Sequence, residues 1–168
     1  MDMKPLFNQQ GSEVPKRPKS SDSQVKNEII KRGLTSFFSE KQSVFEANQK
    51  DTLVKIFNEH WEYACDEEEL AKYVGELGVN VNQDAIVLAL ISVCEHLNDA
   101  YLVILTEWYQ SNAIVPPYPV GSKLDKGTIT GISVKEAATY EVLIYGFPES
   151  SPNRRSVKFE DAILAEEE

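Results

Sequence analysis

The run Val115–Pro116–Pro117–Tyr118–Pro119 constrains this chain more than any other feature. Three prolines in five residues remove backbone donors and hold their neighbours extended, so no helix can pass through. The periodicity of apolar residues changes across it, from a helical spacing to strict alternation. The sequence therefore predicts an α+β chain: an N-terminal bundle of three to five helices, then a small antiparallel β module, barrel or meander.

On the helical side, Ser21, Asp22 or Ser23 can cap a first helix running through Lys31 and closed by Gly33. A second helix is expected over about Asn48–Cys65. Leu53, Ile56, Phe57, His60, Trp61 and Ala64 fall on one face of it. Asp66 can cap a third helix, with Glu67, Glu68 and Glu69 in the first turn and Gly75 and Gly78 at its end. Asn82 or Asp84 opens the longest helix, to about Asn112, with a candidate break at Asn98–Asp99. Its first half, Ala85–Cys94, is apolar almost all round and is expected to be enclosed by its neighbours. Its second half places Tyr101, Ile104, Leu105 and Trp108 on one face.

Beyond the prolines, residues 127–134, 140–145 and 156–159 alternate as strands, with turn signals at 136–138 and 148–153. The opening "Pro-x-Gly-Ser-Lys-Leu-x-x-Gly-Thr-Ile-Thr-Gly-Ile", then "Tyr-Glu-Val-Leu-Ile-Tyr" and "Val-Lys-Phe-Glu-Asp-Ala", resembles the SH3-like or Tudor-like small β-barrels over residues 118–164. That resemblance implies peptide or nucleic-acid binding by the module. Tyr118, Tyr140, Tyr145, Phe147 and Phe159 are available for an aromatic cage or, alternatively, to fill the interior. The expected layout is a disordered leader at 1–22, a helical domain at 23–114, a linker at 115–120, the β module at 121–164 and an acidic tail at 165–168.

Charge is unevenly spread. Residues 1–42 carry a net +3, residues 43–113 carry −10 and residues 114–168 carry −3. An acidic middle repels phosphate backbones, so nucleic-acid contact is expected only from the basic residues Lys16, Arg17, Lys19, Arg154 and Arg155. The polar, proline-bearing start lacks an apolar signal core, and the run Ala85–Val93 is too short to span a bilayer. Two cysteines, Cys65 and Cys94, each in an apolar setting, form no disulfide framework. The expectation is a cytoplasmic protein, or a nuclear one in a eukaryote, without membrane contact.

No constellation in the sequence asks for a metal, a cofactor or a catalytic residue. His60 with Cys65 and Cys94 with His96 would sit about 140° and 160° apart around a helix, which is wrong for paired zinc ligands. There is no Gly-x-Ser-x-Gly elbow, and a hydrolase triad would have to use histidines inside helices. Phosphate-cradling glycine loops are absent; Gly127 and Gly131 lie in a strand pattern, where glycine marks bends and bulges.

One short stretch stands out: Lys31–Arg32–Gly33–Leu34–Thr35–Ser36–Phe37–Phe38. It resembles the peptide by which replication and repair proteins bind ring-shaped sliding clamps. Leu34 takes the aliphatic place and Phe37 and Phe38 the aromatic pair, while Lys31 replaces the usual glutamine. The resemblance implies a 3₁₀ turn that plugs an apolar pocket, with Lys31, Arg32 and Lys41 facing an acidic surface. The competing reading folds Leu34, Phe37, Phe38 and Phe45 into the helical core.

Together these features predict a non-enzymatic interaction or adaptor protein that binds another protein, such as a sliding clamp or complex subunit. The alternatives are a nucleic-acid-associated factor using the β module, or an acidic inhibitor imitating nucleic acid. A homodimer through Trp108 and Tyr109 is a further expectation.

Overall fold

The computed structural model describes residues 3–40, 44–77 and 82–166. Four α-helices precede a four-stranded antiparallel sheet: α1 Ser23–Ser39, α2 Lys50–His60, α3 Glu67–Val74 and α4 Gln83–Ser111, then β1 Lys123–Leu124, β2 Gly127–Ile132, β3 Thr139–Ile144 and β4 Arg155–Lys158. The α+β class with helices first is thus what the chain adopts. Lys41, Gly78, Glu167 and Glu168, which carried parts of the sequence reading, lie outside the described residues.

The chain forms two compact units, Pro18–Ile104 and Met1–Arg17 with Leu105–Glu168. The division therefore falls within α4, ahead of the prolines, because Trp108 and Ile114 are buried in the core of the β unit.

In the helical unit, Ile29, Ile30, Leu34, Phe37, Leu53, Phe57, Trp61, Leu70, Val74, Leu90, Val93 and Leu97 build one buried cluster. Gly33 does not close α1. A Cβ there would lie 2.9 Å from the Leu97 Cα, so this glycine lets α1 approach α4 closely and the helix continues to Ser39. α2 stops at His60, earlier than its apolar face suggested. Trp61 caps it in an extended conformation and Ala64 adopts a left-handed φ of 62°. Asp66 caps α3 through a bond from the Glu68 amide at 2.9 Å. The Asn82 side chain caps α4 by accepting from the Ala85 amide at 2.8 Å. α4 runs unbroken through Asn98 and Asp99.

The β unit is a meander in the order β1-β2-β3-β4 and not a closed barrel. Its register slips between Ile129 and Gly131, so Gly131 marks a bulge. The segment after β4 returns along β1, with a Leu124–Leu164 bridge and the Asp125 amide donating to the Ile163 carbonyl at 2.9 Å. Tyr140 and Phe159 pack at 4.5 Å between centroids in the interior beneath the sheet. Tyr118 packs partly against that core while Tyr145 and Phe147 are exposed, so these aromatics do not converge on a cage.

The described part of the leader, residues 3–22, is folded, where the sequence suggested disorder over 1–22. Asn8 folds residues 8–12 into a turn, accepting from the amides of Gln10 and Ser12 through its side chain. Bridges Phe7–Glu13 and Asn8–Ile114 follow, and Leu6 and Val14 are buried among the β-unit core. Two apolar side chains suffice because Arg17 adds a polar anchor, described below.

Candidate interaction surface

The clamp-like segment is not a displayed peptide. It lies inside α1, where Ile30, Leu34 and Phe37 at i, i+4 and i+7 form the buried stripe. Phe38 is half-buried and meets Phe37 edge-on at 5.4 Å, and Phe37 lies 6.3 Å from Phe45. Lys31 is exposed, and Arg32 is engaged by Glu28 on its own helix at 2.6 Å. The competing core reading is the correct one, since the side chains that would fill a partner's pocket already fill this one.

Of the candidate nucleic-acid residues, Arg17 and Arg154 serve the fold. Arg17 Nε donates to Glu160 Oε1 at 2.5 Å and Nη2 to Oε2 at 3.1 Å, while both Nη atoms donate to the carbonyls of Ala137 and Ala138 at 2.8 Å. Its guanidinium also lies 5.0 Å from the Trp108 ring centre. Trp108 in turn donates to the Pro15 carbonyl at 2.8 Å and is buried in the β-unit core. Arg154 donates to Thr130 Oγ1 and to the carbonyls of Glu149, Ser151 and Asn153, holding the β3–β4 loop. Lys16, at the edge of a cleft of about 200 Å³ beside Trp108, is exposed, as are Lys19 and Arg155.

Three side chains that the sequence did not bring together do meet. Ser36 Oγ lies 2.9 Å from His96 Nδ1, and His96 Nε2 lies 3.0 Å from Glu40 Oε1. The roles match a nucleophile, a base and an orienting carboxylate. Acyl transfer also needs donors for the developing oxyanion, usually the largest catalytic contribution. Here Ser36 sits near the C-terminal end of α1, where backbone carbonyls project and the helix dipole disfavours negative charge. The trio is suited to clasping α1 to α4.

Cys65 and Cys94 lie near enough for each thiol to influence the other. Burial pushes Cys65 up, and pushes Cys94 up far more, with Glu67 adding to both. His60 stacks on Tyr73 at 3.6 Å and 6°. Among the described residues no group of three or more His, Cys, Asp or Glu side chains stands where it could hold a metal ion.

The unexpected surface is on α4. Its apolar first half is not enclosed: Ile86, Leu90, Val93 and Leu97 are buried, but Leu88 is 68% exposed and Ile91 39%. Leu102 and Val103 are 39% and 50% exposed further along. By the 100° advance per residue, Leu88, Ile91, Glu95, Asp99 and Leu102 share one face. Tyr63, half-exposed, packs edge-on against Tyr101 at 5.5 Å on another side of the helix. By length and composition α4 also passes for a membrane span, with a mean hydropathy of 1.5 in its most apolar window. Its other side, however, is packed into the helical core, and it carries Asp84, Glu95, Asp99 and Glu107.

Compared with protein-family models, curated proteins and solved structures, the chain matches none. Its class is therefore stated from its own architecture: a helical unit and an open β meander, with an exposed apolar helix face as the most distinctive surface.

Proposed function

We propose that this chain is a protein-interaction module whose docking surface is the exposed face of α4. The observation that carries this reading is the exposure of Leu88, Ile91, Leu102 and Val103 on one helix that is otherwise a core element. Each such side chain gains on the order of 1.5–3 kcal/mol when fully buried, so a soluble chain bears a persistent cost for leaving them in water. A partner that covers them recovers part of that energy after the costs of association. The clamp-like peptide no longer supports the adaptor role, because its side chains are core; the α4 face supports it instead.

The test is a photo-reactive amino acid placed at Val103 of the full chain, activated in native lysate. The expected result is a discrete cross-linked polypeptide that disappears when Leu88→Glu is introduced one face-length away. Cross-linking that is absent, or that is unchanged by Leu88→Glu, contradicts the reading.

A further inference from the structure

We propose that the α4 face receives a basic amphipathic helix of another protein, which sets a Lys or Arg between Glu95 and Asp99 and apolar side chains on either side. This rests on the reading of α4 as a docking surface and adds the chemistry of what docks.

Leu88, Glu95 and Leu102 recur every seven residues, with Ile91 between the first two. That is the spacing of a helix–helix seam, in which a single polar residue at a central core position selects partner and register. At 1.5 Å per residue, Leu88 to Leu102 spans about 21 Å, a length that another helix covers in about four turns. The apolar ends supply contact area, and the two central carboxylates supply a charge that a partner must answer.

Among the described residues of the face, none answers that charge. The segment Gln83–Ser111 contains no Lys or Arg. Among the described residues, no ion pair or side-chain hydrogen bond engages Glu95 or Asp99, and both are exposed. Residues 43–113 carry −10, so the surroundings reinforce attraction for a cation.

The same charges argue against other occupants. A second copy laid antiparallel across the face would match leucines with leucines, but would bring two Glu95 and two Asp99 carboxylates together at the symmetry axis, where they repel. Nucleic acid and anionic lipid are repelled by the same groups. A basic helix satisfies both the apolar and the acidic parts of the seam.

The probes are two synthetic helical peptides, identical except for the residues that face Glu95 and Asp99. Both carry leucines matched to the Leu88–Ile91 and Leu102–Val103 pairs, and the centre is Lys in one and Glu in the other. Binding to the full chain is read by fluorescence anisotropy at two salt concentrations. The Lys-centred peptide should bind at least about tenfold more tightly than the Glu-centred one, with the preference shrinking as salt rises. The double variant Glu95→Lys, Asp99→Lys, checked for unchanged circular dichroism, should invert the preference.

Equal binding of the two peptides overturns the basic partner while leaving the docking surface standing. Failure of both peptides, with the Val103 cross-link still formed, overturns it in the same way. Loss of the cross-link as well removes the docking surface itself. A concentration-dependent dimer in sedimentation, abolished by Leu102→Glu, assigns the face to a second copy. Binding to phosphatidylcholine vesicles, abolished by the same substitution, assigns it to lipid. Either of these last results also overturns the proposal.

Discussion

Arg17 holds both carboxylate oxygens of Glu160, with neither side chain more than 8% exposed. Residues 143 positions apart are thereby joined, and the leader is fixed to the turn that follows β4. A buried ion pair contributes little net stability over an apolar pair, because both charges are desolvated. Removing one partner is costly, since it strands the other. Arg17→Ala should destabilise the chain by about 3 kcal/mol, and Arg17→Met with Glu160→Leu should recover much of that loss. Equilibrium denaturant unfolding checks both values, and a neutral Arg17→Ala would mean that the leader is not anchored.

Gly33 offers a second prediction, opposite in sign to helix propensity. Alanine in an exposed helix interior gains about 1 kcal/mol over glycine. At position 33 the new methyl would stand 2.9 Å from the Leu97 Cα, which the backbone of α4 cannot vacate without repacking. Gly33→Ala should therefore cost a net 1–2 kcal/mol, to order of magnitude. A stabilised variant would show that α1 and α4 are not in this contact.

Tyr140 links the β unit to alkaline pH. Its hydroxyl donates to the Tyr118 carbonyl at 2.9 Å and accepts from the Tyr118 amide at 2.8 Å. Burial, opposed only in part by the Tyr118 backbone, raises its pKa from 10 to about 12. The folded state then keeps a proton that the unfolded chain gives up. The stability linked to Tyr140 is fully present below pH 10 and is lost as pH rises through about 12. Unfolding midpoints measured across that range should fall more steeply in the wild type than in Tyr140→Phe. Identical slopes would contradict the assignment.

Cys65 and Cys94 should react slowly with alkylating agents at neutral pH, because burial disfavours the thiolate of each. Mass spectrometry during iodoacetamide treatment should show Cys94 labelled later than Cys65, since Cys94 is the more deeply buried and the further shifted. Rapid labelling of Cys94 in the native chain would contradict its burial.

Local chemistry was readable in the sequence wherever it is decided locally. The Leu53–Phe57–Trp61 stripe, the Asp66 and Asn82 caps and the alternation of β2 and β3 follow from residues within a few positions of one another. What was not readable depends on distant contacts. The leader has only Leu6 and Val14 to bury, and nothing near Arg17 in the chain points to Glu160. Gly33 looked like a helix stop because its reason, the Leu97 backbone, is 64 residues away. In Leu34–Phe37–Phe38 the same spacing serves a peptide motif and an amphipathic stripe, and only burial distinguishes them. On α4 an all-round apolar pattern carries no phase, so periodicity could not say that Leu88 and Ile91 would face outward.

Docking through the α4 face is decided by the Leu88→Glu, Leu102→Glu double variant, followed by unfolding equilibrium of the full chain alongside the Val103 cross-link. Stability should stay within about 0.5 kcal/mol of the wild type per substitution, as for exposed sites, while the cross-link is lost. A loss of several kcal/mol, or a cross-link that persists in a folded variant, would contradict docking through that face.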